Sequence, residues 1–189
     1  MRIYEANTVG GRLGHRLRRA LHVVMLLVPI LYYYYEAWLS NGLLIILLLV
    51  IATELWRLKK HYLFFGQRAH ESTHLSSFAW GAIAMIVVLL LVPHAIYAIP
   101  IVAGCAIGDP LIGILKERLP WYVVRPIAFL VIGFIWWVCR YFMPLPIWFP
   151  WVVSAMTVLV EWPNFYWIDD NALMQVVPLM LLLMTHISR

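Results

Sequence analysis

Charge is scarce in this sequence. Lys and Arg number 14 and Asp and Glu 9 among 189 residues, 12% of the chain against 64% apolar. A water-soluble domain of this length needs far more polar surface to cover its core. The shortage excludes one and indicates an integral membrane protein. Cysteine is almost missing: Cys105 and Cys139 stand alone within apolar segments, which argues against a disulfide framework or a thiolate metal cage. Internal repeats are absent, and no linker is long enough to separate a second domain from the first. The first apolar run is too long for a secretory leader and lacks a small-residue cleavage pattern, so a retained helix is expected.

What remains is about seven apolar segments near spanning length, at roughly 1.5 Å per residue across a ~30 Å hydrocarbon core. They are Ala20–Trp38, Leu43–Leu58, Leu75–Val92, Ala95–Ile107, Pro126–Phe142, Ile147–Val160 and Ala172–Ile187. The fourth is short for a full span and reads as a broken or half-inserted helix sheltered by its neighbours. The expected fold is an all-α, multi-pass bundle of about seven transmembrane helices. Residues 1–19 form a basic cytoplasmic segment before a single transmembrane domain, 20–189. Tyr32 to Tyr35 with Trp38 make an aromatic belt at the outer interface.

Threading these spans through a membrane puts twelve of the fourteen Lys and Arg on alternate loops, leaving Arg140 and Arg189 for the other side. The positive-inside rule makes the crowded side, and the N-terminus, cytoplasmic. The arginines at 2, 12, 16, 18 and 19 favour anionic lipid head groups, and no nucleic-acid partner is expected. Eight of the nine acids fall on the same side, Glu36 being the exception. Acids do not set topology, so their clustering needs another cause.

Four polar clusters lie at the cytoplasmic ends. Glu54 and Arg57 are three apart on one helix face. Arg68, His70, Glu71 and His74 form the second; His70-Glu71-Ser72-Thr73-His74 matches a zinc-protease pattern, but it arises readily by chance and has no evident third ligand. The third is Gly108-Asp109-Pro110 to Gly113, Lys116, Glu117 and Arg118. Its glycines suit a tight turn into a helix whose free N–H groups and cations take phosphate, with Asp109 as a Mg²⁺ ligand. The bland alternative is a capped helix start with snorkelling cations. The fourth runs from Glu161-Trp162-Pro163 to Asp169-Asp170-Asn171, before an apolar helix. One acid suffices to cap a helix; acids crowded at a membrane boundary suggest a shared cation.

Phe65-Gly66-x-Arg68-x-His70-Glu71, Gly108-Asp109-x-x-x-Gly113, and Glu161 followed by Asp169-Asp170-Asn171 and Pro178 together resemble the dolichol kinase and phytol kinase family, relatives of the CDP-diacylglycerol synthases. The resemblance covers roughly residues 50–185. It implies a multispanning enzyme that uses CTP and a divalent cation, Mg²⁺, to phosphorylate an isoprenoid or other lipid alcohol at the cytoplasmic face. It implies Asp109, Asp169 and Asp170 at the metal, and Arg68, Gly108, Gly113, Lys116, Arg118 and Asn171 around the nucleotide phosphates. Glu161, Glu71 or His70 would take the alcohol proton. The chain departs from the family after Asp109: Pro110 to Pro120 replaces further glycines, and no Lys-Lys/Ser-Thr-x-Glu-Gly element precedes Arg125. A CDP-lipid-forming cytidylyltransferase and a non-catalytic lipid-phosphate carrier or scaffold are the alternatives.

Overall fold

The computed structural model describes residues 8–161 and 168–187, with side chains through Thr185. Arg2, Glu5, Trp162, Pro163 and Arg189, which entered the patterns above, lie outside the described residues. Among the described residues seven α-helices form: α1 (Gly11–Val24), α2 (Leu27–Lys59), α3 (Ser77–Leu91), α4 (Ala98–Lys116), α5 (Trp121–Arg140), α6 (Phe149–Glu161) and α7 (Asp170–Ile187). Short 3₁₀ turns at Ala69–Ser72 and Ala95–Tyr97 precede α3 and α4. Local chemistry explains several boundaries. The Ser76 hydroxyl accepts the Ala79 N–H at 3.1 Å to cap α3. Val92 is extended at its other end, the conformation that the following proline favours.

The first two expected segments are one helical run. Met25 and Leu26 keep helical dihedrals between α1 and α2, and the joint tightens because Pro29 has no N–H to give Met25; Val28 N–H donates to the Met25 carbonyl instead. Arg18 and Arg57 nevertheless both bond to Glu71, one at its carboxylate and the other at its carbonyl. On a straight helix, 39 residues would hold them about 58 Å apart. The run therefore folds back on itself, and Tyr35, with non-helical φ −127° and ψ 31°, is the break nearly midway. The turn falls within the tyrosine cluster and not after Trp38, and Tyr32 is buried in the core instead of lying in an interfacial belt.

Among the described residues three helical runs are long and apolar enough to cross a membrane: Gly11–Lys59, Ala95–Lys116 and Trp121–Arg140. Ser77–Leu91, Phe149–Glu161 and Asp170–Thr185 are shorter apolar helices, so they fall short of the length expected of spanning segments. The fourth expected segment is corrected in the other direction. It is not broken at Ile107 but runs on through Gly108, Asp109 and Pro110 to Lys116. Helix α1 runs across residue 19, the expected end of the basic segment.

From α2 onward successive helices pack together, α1 lies against α4, and α7 lies against α3, α4 and α6. Its Met174, Leu179 and Leu182 are fully buried. Helix α4 makes this possible with small residues: Ala98, Ala103, Gly104, Cys105, Ala106 and Gly108 are all buried, which lets neighbouring backbones approach. At the other end of the chain, Val9 N–H donates to the Gln67 carbonyl and Gly66 N–H to the Val9 carbonyl. Gly66 has φ +89°, and a Cβ on Gly14 would sit 2.1 Å from the Val9 oxygen, so this clasp needs both glycines. It fixes α1 across the polar ends of the other helices.

Candidate functional site

Glu54 and Arg57 behave as their spacing indicates. Arg57 Nε and Nη2 donate to the two Glu54 oxygens at 3.0 and 2.6 Å. Its remaining donors reach the carbonyls of Tyr62, Glu71 and His74 at 3.2, 2.6 and 2.7 Å. All five guanidinium N–H groups are thus used, and Glu54 also accepts the Ser76 N–H at 2.6 Å. This fully buried pair shapes the whole segment 62–76.

Within that segment the zinc-type pattern does not form a helix with two facing imidazoles. Ala69–Ser72 is a single 3₁₀ turn, His70 is exposed, and His74 Nδ1 lies 2.9 Å from Thr73 Oγ1. His70 is therefore turned away from the polar interior, against its expected place in the site. Glu71 points inward and is 1% exposed. Its Oε1 accepts Arg18 Nη1 at 2.9 Å and Ser77 Oγ at 3.4 Å.

The Gly108–Gly113 turn is overturned. Both glycines lie inside α4, where backbone N–H groups are engaged in the helix and offer nothing to phosphate. Gly108 serves packing instead: a Cβ there would come within 3.1 Å of Ile132 and of Met174. Lys116 Nζ binds Glu161 Oε1 at 2.6 Å, while Arg118 is exposed and Arg68 half-buried. Glu161 is 4% exposed, and its Oε2 has no hydrogen-bond partner among the described residues.

The turn of α4 that leads to Asp109 packs against the start of α7. Cys105, one turn earlier on the same face of α4, places its Sγ 3.6 Å from the Asn171 carbonyl. Asp169 caps α7: its Oδ1 accepts the Asn171 N–H at 3.1 Å and Asn171 Nδ2 at 2.6 Å. Asn171 thus spends its amide on the neighbouring acid and is 1% exposed, which removes it from phosphate contact. Asp170 Oδ1 also receives the Asn171 N–H, at 2.9 Å. These acids precede the apolar run that begins at Ala172. Burial raises both carboxyls; for Asp169 the hydrogen bonds from Ser77, Asp170 and the Asn171 backbone, with the Arg18 charge, outweigh it and hold the group below its ordinary range. For Asp170, burial and then the charges of Asp169 and Asp109 push it well above that range. Among the described residues, no three His, Cys, Asp or Glu side chains gather closely enough to hold one ion.

Helix α1 supplies groups that sequence reasoning missed. Arg18 pairs with Glu71, Arg19 Nη2 with Glu117 Oε1 at 3.1 Å, and His22 Nε2 lies 3.6 Å from Asp109 Oδ2. Two of the arginines assigned to lipid head groups therefore point into the protein, while Arg12 and Arg16 are exposed. Arg18 and His22 stand one turn apart on one face, which was the available signal. Between α1, the 64–71 segment and α3 lies a cavity of about 440 Å³. Its walls are chiefly apolar, with Arg18, His22, Glu71 and Ser77 at the polar part. Comparison with known proteins finds no matching family model, no similar curated protein and no similar solved structure.

Proposed function

We propose that this chain is a multi-pass membrane lipid kinase that transfers a phosphoryl group from a nucleotide, CTP by the motif resemblance, to a lipid alcohol at the cytoplasmic face. The observation that carries this reading is the packing of the α4 turn that leads to Asp109 against the start of α7, where Asp169 and Asp170 lie, beside a chiefly apolar cavity lined in part by Arg18, His22, Glu71 and Ser77. In this reading the folded-back α1–α2 run crosses the membrane twice, the basic ends are cytoplasmic, and the outward Arg12 and Arg16 meet anionic lipids.

Phosphoryl transfer asks the protein chiefly to position reactants and offset charge. Two adjacent acids with a third nearby suit a hard divalent cation, which takes one or two carboxylates and completes its shell with water and phosphate. That Asp170 favours its proton while packed against Asp169 fits such a set: the pair carries more negative charge than the protein alone offsets. Asp169 and Asp170 would hold Mg²⁺, with Asp109 beside them, and the ion would neutralise phosphate charge. The chain's own groups do the rest. Arg68, Lys116 and Arg118 draw the nucleotide phosphates to this end of the bundle. Glu71, or Glu161 with its open Oε2, accepts the alcohol proton. The alcohol oxygen bonds to the terminal phosphorus as the bond from that phosphorus to the bridging oxygen breaks. The products are the lipid phosphate, a nucleoside diphosphate and the released proton.

The test is purified protein with γ-labelled CTP and other nucleotides, Mg²⁺, and a panel of polyprenols and phytol. Labelled lipid monophosphate is expected. Pyrophosphate release with a CDP-lipid would establish the cytidylyltransferase instead. No nucleotide consumption with any lipid, while a working polyprenol kinase labels the same panel, would remove the kinase reading.

A further inference from the structure

The polar end of the cavity lacks a partner. Glu71 Oε1 is held by Arg18 and Ser77, but Oε2 is buried and has no hydrogen-bond partner among the described residues. His22 Nδ1, on the same cavity wall, is likewise unpartnered. An ionised carboxylate can only accept, so what completes Glu71 is a donor. The walls leading away from it, with Leu21, Val28, Phe78 and Met85, require that the rest of the ligand be apolar. A volume of about 440 Å³ lies toward the small end of ligand pockets, which run roughly 300–1,000 Å³, and leaves room for one chain.

Charge narrows the head group further. The single guanidinium of Arg18 is bonded to Glu71, and the one hydroxyl proton of Ser77 is shared between the Glu71 and Asp169 carboxylates. A phosphate placed here would meet two carboxylates across one committed arginine, whereas a hydroxyl donates to Oε2 and adds no charge. A buried site built to hydrogen-bond one group discriminates strongly against a head that leaves its polar atoms unpaired or repelled.

We propose that this cavity seats a single-chain lipid alcohol by its hydroxyl on Glu71 Oε2, and that it refuses the corresponding lipid phosphate. Binding itself is independent of the kinase reading; only the steps after binding rest on it. There the seat gives Glu71 the role of base over Glu161, and it gives product release a cause: once phosphorylated, the head no longer fits against Glu71.

The experiment uses the full chain in nanodiscs, with a long-chain alkanol carrying a photoreactive diazirine in its tail and the matched alkyl phosphate. Cross-links are mapped by mass spectrometry, and competition by unlabelled compound gives relative affinity. The alkanol should label the Phe78–Met85 stretch, and the phosphate should compete at least tenfold more weakly. Met85→Trp fills the cavity without touching the polar end and should lower labelling at least tenfold. Glu71→Gln, whose amide can also donate, should erase the preference for alcohol over phosphate. Equal competition by the phosphate in the wild-type protein, or undiminished labelling in a folded Met85→Trp variant, overturns the assignment. Should Glu71→Gln not fold, those two results decide alone. Selective labelling without any lipid phosphorylation would leave the cavity standing and fail the kinase.

Discussion

Arg18 and Glu71 are 53 residues apart in the chain and 2.9 Å apart in space, and this pair ties the N-terminal helix to the segment that carries the cavity. The side chains are 16% and 2% exposed. Removing one member of a buried pair strands the other, at about 3–5 kcal/mol; the partial exposure of Arg18 lowers this to about 2–4 kcal/mol for Arg18→Met. Unfolding in detergent, followed by thermal melt or denaturant, measures it. Glu71→Gln should cost less, because the amide oxygen still accepts from Arg18. A double-mutant cycle with no coupling would mean that the pair is incidental.

Arg57 carries more of the structure than Arg18. Three of its five N–H groups join α2 to carbonyls in the segment 62–74 and two hold Glu54, and lysine, with three donors on a flexible stem, cannot replace that fork. Arg57→Lys is expected to destabilise by about 3–5 kcal/mol and to open residues 61–76 to proteolysis before the rest of the bundle. A loss under about 0.5 kcal/mol, the scale of an ordinary surface change, would show that the fork is dispensable.

The helical, membrane-type architecture was legible because long apolar runs leave few alternatives, and the Glu54–Arg57 pair because its partners are local. Asp109, Asp169 and Asp170 stood out in the sequence because acids crowded at an apolar boundary are costly to bury. The groups of α1 were not. Pooling Arg16, Arg18 and Arg19 as orientation signals hid that Arg18 and His22 share an inward face, which only tertiary packing reveals. Gly108 misled for a related reason: glycine before Asp-Pro reads as a turn, yet here its missing side chain admits Ile132 and Met174. The fold-back at Tyr35 carries no proline or glycine of its own, so local propensity gave no sign of it.

The two uses of glycine separate by substitution. Gly108→Ala drives a methyl against Ile132 and Met174 and should cost about 1–3 kcal/mol. Gly113→Ala meets only the Arg19 guanidinium at 3.9 Å, and Gly42→Ala meets nothing within 4 Å. Both should be neutral or stabilising by up to about 1 kcal/mol, the helix preference for alanine. Activity kept by Gly113→Ala would agree with a helical residue; its abolition without loss of stability would restore a role for Gly113 at the phosphates.

Asp169 and Asp170 make opposite predictions with pH. Asp170 is held above its ordinary range by burial and by Asp169 and Asp109, so the folded protein favours its protonated form. Its contribution is favourable at low pH and is lost as pH climbs from the ordinary carboxylate range through the raised value. Asp169 is held low, chiefly by hydrogen bonds that outweigh its burial; its contribution is present above the ordinary range and disappears as pH falls through the lowered value. A divalent cation must displace the Asp170 proton, so its affinity should rise with pH until Asp170 is ionised. Asp170→Asn should therefore raise the melting temperature at neutral pH without added cation, and abolish the further rise that Mg²⁺ gives the wild-type protein. Mn²⁺ titration followed by electron paramagnetic resonance across pH reads the same linkage directly. A cation affinity independent of pH, or an unchanged Mg²⁺ response in Asp170→Asn, would take Asp170 out of the metal site.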